Sequence, residues 1–186
     1  MKKSSPSQLL GGRLHLRAFT SRPALVSMGL LALVTTGFFV ARGANPPEAA
    51  IGPDTAPVAF VGSALGGSSA GEASCVDGVN CDTFKITVTG TPADWGNKLI
   101  ALTFNWTLPT TDYDFYIHKD ALGGSPVATG RNGGPPEIDD NAAIDPAATG
   151  VGDYIIHVVY FAASAADQYR GTATVTPKAV TNRDAT

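Results

Sequence analysis

The chain has 186 residues, 44% of them hydrophobic, and its 13 Lys and Arg against 16 Asp and Glu give a net charge of −3. That length suits one domain with a proper core. Six basic residues (Lys2, Lys3, Arg13, Arg17, Arg22 and Arg42) precede the first acidic one, so the rest of the chain is markedly acidic with scattered basic residues. This balance excludes nucleic acid as a partner, because phosphate binding needs clustered Lys and Arg.

Between Arg22 and Arg42 the stretch ALVSMGLLALVTTGFFVA (24–41) carries no charge. A basic region, an apolar region and then small residues match a secretory signal. Ala41 and Gly43 stand where a signal peptidase reads, which places cleavage before Ala44. The competing reading is an uncleaved membrane anchor, since the stretch is at the lower limit for crossing a bilayer. The extended NPPEAA that follows favours cleavage. On either reading the rest of the chain is exported, to a secreted, periplasmic or cell-surface location, and meets the membrane only through this N-terminal segment.

Residues 44–74 are rich in Pro, Gly and Ser and read as extended and flexible, with a first strand conceivable at Ala56–Gly62 and a Gly/Ser/Ala connection at Ser63–Ser74. Cys75 and Cys81 follow in CVDGVNC. In an exported chain this pair predicts a disulfide across a turn at Asp77 and Gly78, worth roughly 2 kcal/mol on the chain-entropy model. A metal role for the pair is disfavoured because no second Cys or His pair lies nearby in the sequence.

The strands that follow alternate with period two. Phe84, Ile86 and Val88 alternate with Lys85, Thr87 and Thr89. In LIALTFNW (99–106), Ile100, Leu102, Phe104 and Trp106 share a core face. The turn-rich LPTT leads into DYDFYIHK, where Tyr113, Phe115 and Ile117 point inward while Asp112, Asp114, Tyr116 and His118 are expected on a solvent face. Pro126–Thr129 reads as a short strand that hairpins back. Asp153–Phe161 is apolar on both faces and so is expected to be central. Tyr169–Thr176 closes the fold, with Tyr169, Ala173 and Val175 inward. No convincing helical period occurs after the leader. The pattern predicts an all-β fold, an antiparallel sandwich or jelly roll of about 7–9 short strands. The expected organisation is a signal or anchor at 1–43, a flexible segment at 44–74, the sandwich at 75–177 and a flexible tail at 178–186.

CDTFKITV, a Trp-containing turn, LTFNW, DYDFYIHKD, PVATG, an acidic linker, GDYIIHVVYF and YRGTATV, in that order, resemble the bacterial pre-peptidase C-terminal domain from about Asp82 to Val175. The resemblance implies a CUB-like jelly-roll sandwich that is non-catalytic and serves an exported protein, often one carrying a peptidase or another hydrolase.

Calcium takes six to eight oxygen ligands, commonly from carboxylates on loops. Asp112 and Asp114 on their strand, with Glu137, Asp139 and Asp140 in the linker RNGGPPEIDDNAAID, are candidate ligands, and the resemblance adds weight to calcium as a cofactor. His118 shares a face with Asp112 and Asp114. Should His157 lie close by, the group would form a His/His/Asp transition-metal site. Trp106 is expected in the core. Trp95, in TPADWGNK, and Tyr116 are candidate stacking platforms for a carbohydrate ligand. No catalytic residue is assigned: a glycosidase pair needs a cleft that raises one carboxylate's pKa, and no nucleophile elbow accompanies any serine. The reading is an accessory or binding module for a protein or polysaccharide. The alternative is a structural or adhesion subunit of the cell surface, and a hydrolase is the least favoured.

Overall fold

The computed structural model describes residues 43–64 and 67–179. The alternating segments become nine strands: β1 (Glu48–Ile51), β2 (Val58–Ser63), β3 (Cys81–Val88), β4 (Lys98–Trp106), β5 (Asp112–Lys119), β6 (Ala128–Gly130), β7 (Asp139–Ile144), β8 (Gly152–Ala162) and β9 (Gln168–Pro177). A single helical turn, α1 (Pro146–Thr149), precedes β8 and is capped by the Asp145 carboxylate, which accepts from the Ala147 amide at 3.1 Å. The strands form a five-stranded sheet, β1-β3-β8-β5-β6, and a four-stranded sheet, β2-β9-β4-β7. All pairs are antiparallel except β1 with β3. The fold is thus an all-β sandwich.

The core lies between the sheets and is largely aromatic. Phe60 of β2 stacks on Phe84 of β3 at 3.9 Å between ring centres. Phe104 of β4 meets Phe115 of β5 at 5.4 Å, and Tyr113 meets Tyr160 edge-on at 5.5 Å. Each of these residues sits on the inward row that period two assigns to its strand. Trp106 belongs to the same core, only 4% exposed.

LIALTFNW and DYDFYIHK are successive strands that belong to opposite sheets and face each other across the core, with LPTT crossing between the layers. Three expectations are corrected. The stretch 44–74 is not a flexible lead-in: β1 and β2 add to both sheets because Ile51 and Phe60 have apolar side chains to bury. β7 falls inside the segment read as an acidic linker, where its inward row carries only Asp140, Ala142 and Ile144 and so lacks a strong apolar signal. The outward row of β5 is not solvated. Asp112, Asp114, Tyr116 and His118 are all at most 8% exposed, because neighbouring segments fold over that face.

β8 is central, between β3 and β5, as its two apolar faces imply. The leader reading lies outside the described residues, as does the tail beyond 179. Among the described residues no helix is long and apolar enough to cross a membrane.

Candidate functional site

The outer face of the five-stranded sheet carries an unusual concentration of polar and sulfur chemistry. Register places Tyr116 opposite His157 and His118 opposite Ile155, so the two histidines are diagonal neighbours on adjacent strands. The segment before β3 folds across them in a 3₁₀ turn, Glu72–Ser74, held by the Ser69 hydroxyl donating to the Gly71 carbonyl at 2.8 Å. This turn brings the Glu72 carboxylate between the rings, with Oε1 2.6 Å from His118 Nε2 and 3.0 Å from His157 Nδ1. The other nitrogen of His157, Nε2, is 3.1 Å from Cys75 Sγ.

Cys75 and Cys81 form the disulfide that the sequence predicts, with Cα atoms 5.7 Å apart. Cys81, Tyr116 and Val159 make a small apolar cluster on this outer face, with Cys75 packed against it. That cluster covers Val159 on the outer row of β8. A pocket of about 370 Å³ opens beside Glu72, His118 and His157.

The two histidines are therefore adjacent, but the carboxylate between them is Glu72, not Asp112 or Asp114. Glu72 sits in a Gly/Ser/Ala run without periodicity, so no sequence pattern singles it out.

Asp112 and Asp114 contribute to a second group, under the segment that joins β6 to β7. The regular β5–β8 pairing breaks with a bulge at Asp112/Tyr113, and Gly134 passes directly over the Asp112 carboxylate. Arg131 donates from Nε to Asp114 Oδ2 at 3.3 Å and lies over the Tyr116 ring. Asp140 enters from β7 and accepts the Asn132 amide at 2.6 Å. Burial raises the pKa of Asp112, and its neighbour Asp114 adds to the effect. Burial also raises Asp114 against the pull of Arg131. Asp140 is pushed up to about 6, first by burial and then by repulsion from Asp114, Asp112 and Asp139, with the Asn132 amide opposing. Asp112 Oδ1, Asp140 Oδ2 and the Thr111 hydroxyl are buried without a hydrogen-bond partner. Glu137, on the covering segment, and Asp139, at the start of β7, are both exposed.

A third feature is a groove of about 480 Å³ where the ends of β2, β9 and β4 meet, lined by Gly62, Asn105, Trp106, Gln168, Tyr169 and Arg170 among others. The Trp106 indole N–H is buried without an acceptor. Sequence reasoning missed this groove because its residues are distant in the chain and Trp106 reads simply as core.

Neither predicted stacking platform is available as such. Trp95 is fully buried at the end of a 3₁₀ turn, Pro92–Trp95, and its indole N–H donates to the Thr89 carbonyl at 3.0 Å. Tyr116 is 8% exposed, covered by Arg131, with its hydroxyl 3.4 Å from Asp114 Oδ2.

No family model matches the chain, and no curated protein matches it. Among solved structures, the chain is similar to the pre-peptidase C-terminal domain of collagenase from Bacillus anthracis, with 16% identity over 69% of this chain and 94% of that one and a TM-score of 0.39.

Proposed function

We propose that the chain is an exported, non-catalytic accessory module that binds a protein or a polysaccharide, with calcium as a structural cofactor. The groove at the Trp106 end of the four-stranded sheet carries the binding role. An apolar floor with a few amide and guanidinium groups at its rim is the usual make-up of a ligand site. The basic and then apolar leader supports export.

Calcium fits the carboxylate group by donor chemistry, and two of its carboxylate oxygens are buried without a partner. Asp112 and Asp140 would hold the ion, with Asp114 and Asp139 adding negative charge beside them. The ion would neutralise these carboxylates and tie the 131–138 segment to β5.

Isothermal titration of the full chain with soluble oligosaccharides and with peptides tests the groove. Arg170→Ala is expected to weaken the ligand that binds by about tenfold or more. A variant that binds as tightly as the parent removes the groove from the proposal. Light scattering separates this reading from an adhesion subunit: a monomer is expected, and concentration-dependent oligomers favour assembly.

A further inference from the structure

The Cys75, Cys81 and His157 group carries chemistry that neither ligand binding nor calcium uses. Among the described residues, the two Sγ atoms and a nitrogen of His157 all lie within 4.8 Å of one another. Cys81 is fully buried and His157 only 6% exposed, so the donors are preorganised by the sheet. The two ring nitrogens of His157 have different partners. Nδ1 faces a Glu72 carboxylate oxygen at 3.0 Å, while Nε2 faces Cys75 sulfur at 3.1 Å. A proton on Nδ1, donated to Glu72, leaves the Nε2 lone pair directed at the sulfurs. Metal-ligating histidines are oriented in this way, with a carboxylate on the nitrogen that does not bind the metal. Glu72 is itself anchored from its other side by His118 Nε2 at 2.6 Å.

We propose that, once the disulfide is reduced, Cys75, Cys81 and His157 form a three-ligand site for a soft or borderline transition metal such as zinc, with Glu72 positioning the histidine. The reaction balances in two steps. A dithiol reductant transfers two electrons and two protons to the Cys75–Cys81 bond, giving two thiols and becoming a disulfide itself. A divalent cation then displaces both thiol protons and binds two thiolates and the neutral imidazole. The resulting site has no net charge, which suits its burial. Thiolate and imidazole donors select zinc over calcium or magnesium.

A tetrahedral zinc sets a sulfur and a nitrogen ligand about 3.6 Å apart, so the His157 ring and the Cys75 sulfur need part by only about half an ångström, while the two sulfurs must separate from bonding distance to about 3.8 Å. Breaking the sulfur–sulfur bond permits that movement. The pocket beside Glu72 and His157 opens the histidine and its carboxylate partner to solvent. The disulfide is then one of two states of the site, and the redox state decides whether metal binds.

Cobalt(II) reports both ligand type and geometry. The full chain, reduced with a phosphine and titrated with cobalt, is expected to bind one equivalent, with a thiolate-to-cobalt charge-transfer band and the intense visible bands of tetrahedral cobalt. Zinc should displace it. The oxidised chain should show neither band. His157→Ala should weaken binding about tenfold or more and alter the visible bands. Glu72→Gln, which keeps the shape but loses the charge, should weaken it about 10- to 100-fold with the thiolate band retained. Absence of the charge-transfer band in the reduced parent overturns the proposal, and so does equal binding by the oxidised chain. An unchanged His157→Ala spectrum and affinity also overturns it. Where reduction loosens the fold, circular dichroism decides: recovery on adding zinc supports the site, and no recovery with no metal bound refutes it.

Discussion

The Tyr169 hydroxyl donates to the Asp82 carboxylate through the interior, joining β9 of the four-stranded sheet to β3 of the five-stranded one. Asp82 is only 2% exposed, and it also accepts the Ala44 and Thr83 amides, each at 2.8 Å. Burial raises its pKa against these hydrogen bonds, and burial together with the Asp82 charge raises that of Tyr169. Tyr169→Phe keeps the ring in place but removes one of the three donors to a buried carboxylate. The expected cost is about 1–3 kcal/mol. Urea denaturation checks this as a lower midpoint at unchanged slope, and an unchanged midpoint refutes the pair's importance.

Three strand glycines are each covered by an aromatic ring. A β-carbon at Gly130 would lie 2.1 Å from the Phe115 ring, one at Gly171 2.1 Å from Phe60, and one at Gly62 2.3 Å from the Tyr169 ring system. Phe115 and Gly130 are register partners, as are Phe60 and Gly171. Gly171→Ala therefore overpacks the core and should cost about 1–3 kcal/mol. Adding Phe60→Leu should recover part of that loss in a double-mutant cycle, and strict additivity would contradict the contact.

Asp140 sets an expected pH dependence. Its carboxyl holds a proton up to about pH 6 in the fold but only to the ordinary 3.8 when unfolded. Between those values the native state binds more protons, so this group's contribution to stability falls as pH rises. In chelator, the melting temperature of the parent should fall relative to Asp140→Asn across that window. If calcium is held by the native state as proposed, it should raise the parent's melting temperature at neutral pH. Identical curves with calcium and with chelator would dispose of the ion.

Removing the disulfide tests the lid on the outer face. Cys75→Ala with Cys81→Ala should cost about 2 kcal/mol from the short loop on the chain-entropy model. Hydrogen exchange at Tyr116 and Val159, which lie in the cluster with Cys81, should accelerate more than exchange at Phe104 in the central core. Uniform acceleration would mean that the loop protects nothing locally.

Much of the sandwich is legible from residue type alone. Leu102 and Phe104, or Phe84 and Ile86, alternate with polar residues because a strand with one buried face must do so. β7 is not legible, since its inward row begins with Asp140 and continues with Ala142. The disulfide follows from a close cysteine pair in a chain read as exported. The candidate sites are less visible. DYDFYIHK shows which side chains share a row, but not that Arg131 and Glu72 come to cover them.

Local pattern therefore determines strands, inward rows, the cysteine pair and the charge asymmetry of the leader, because each depends on neighbours along the chain. Only the tertiary structure decides that β4 and β5 lie in opposite layers, that Asp112 and Asp140 are buried together, and that Glu72 bridges His118 and His157 beside Cys75. Those relationships join residues up to 85 positions apart. They depend on which strands pair and which loops fold over them. Period-two alternation distinguishes the two faces of a strand but cannot tell water from a covering segment.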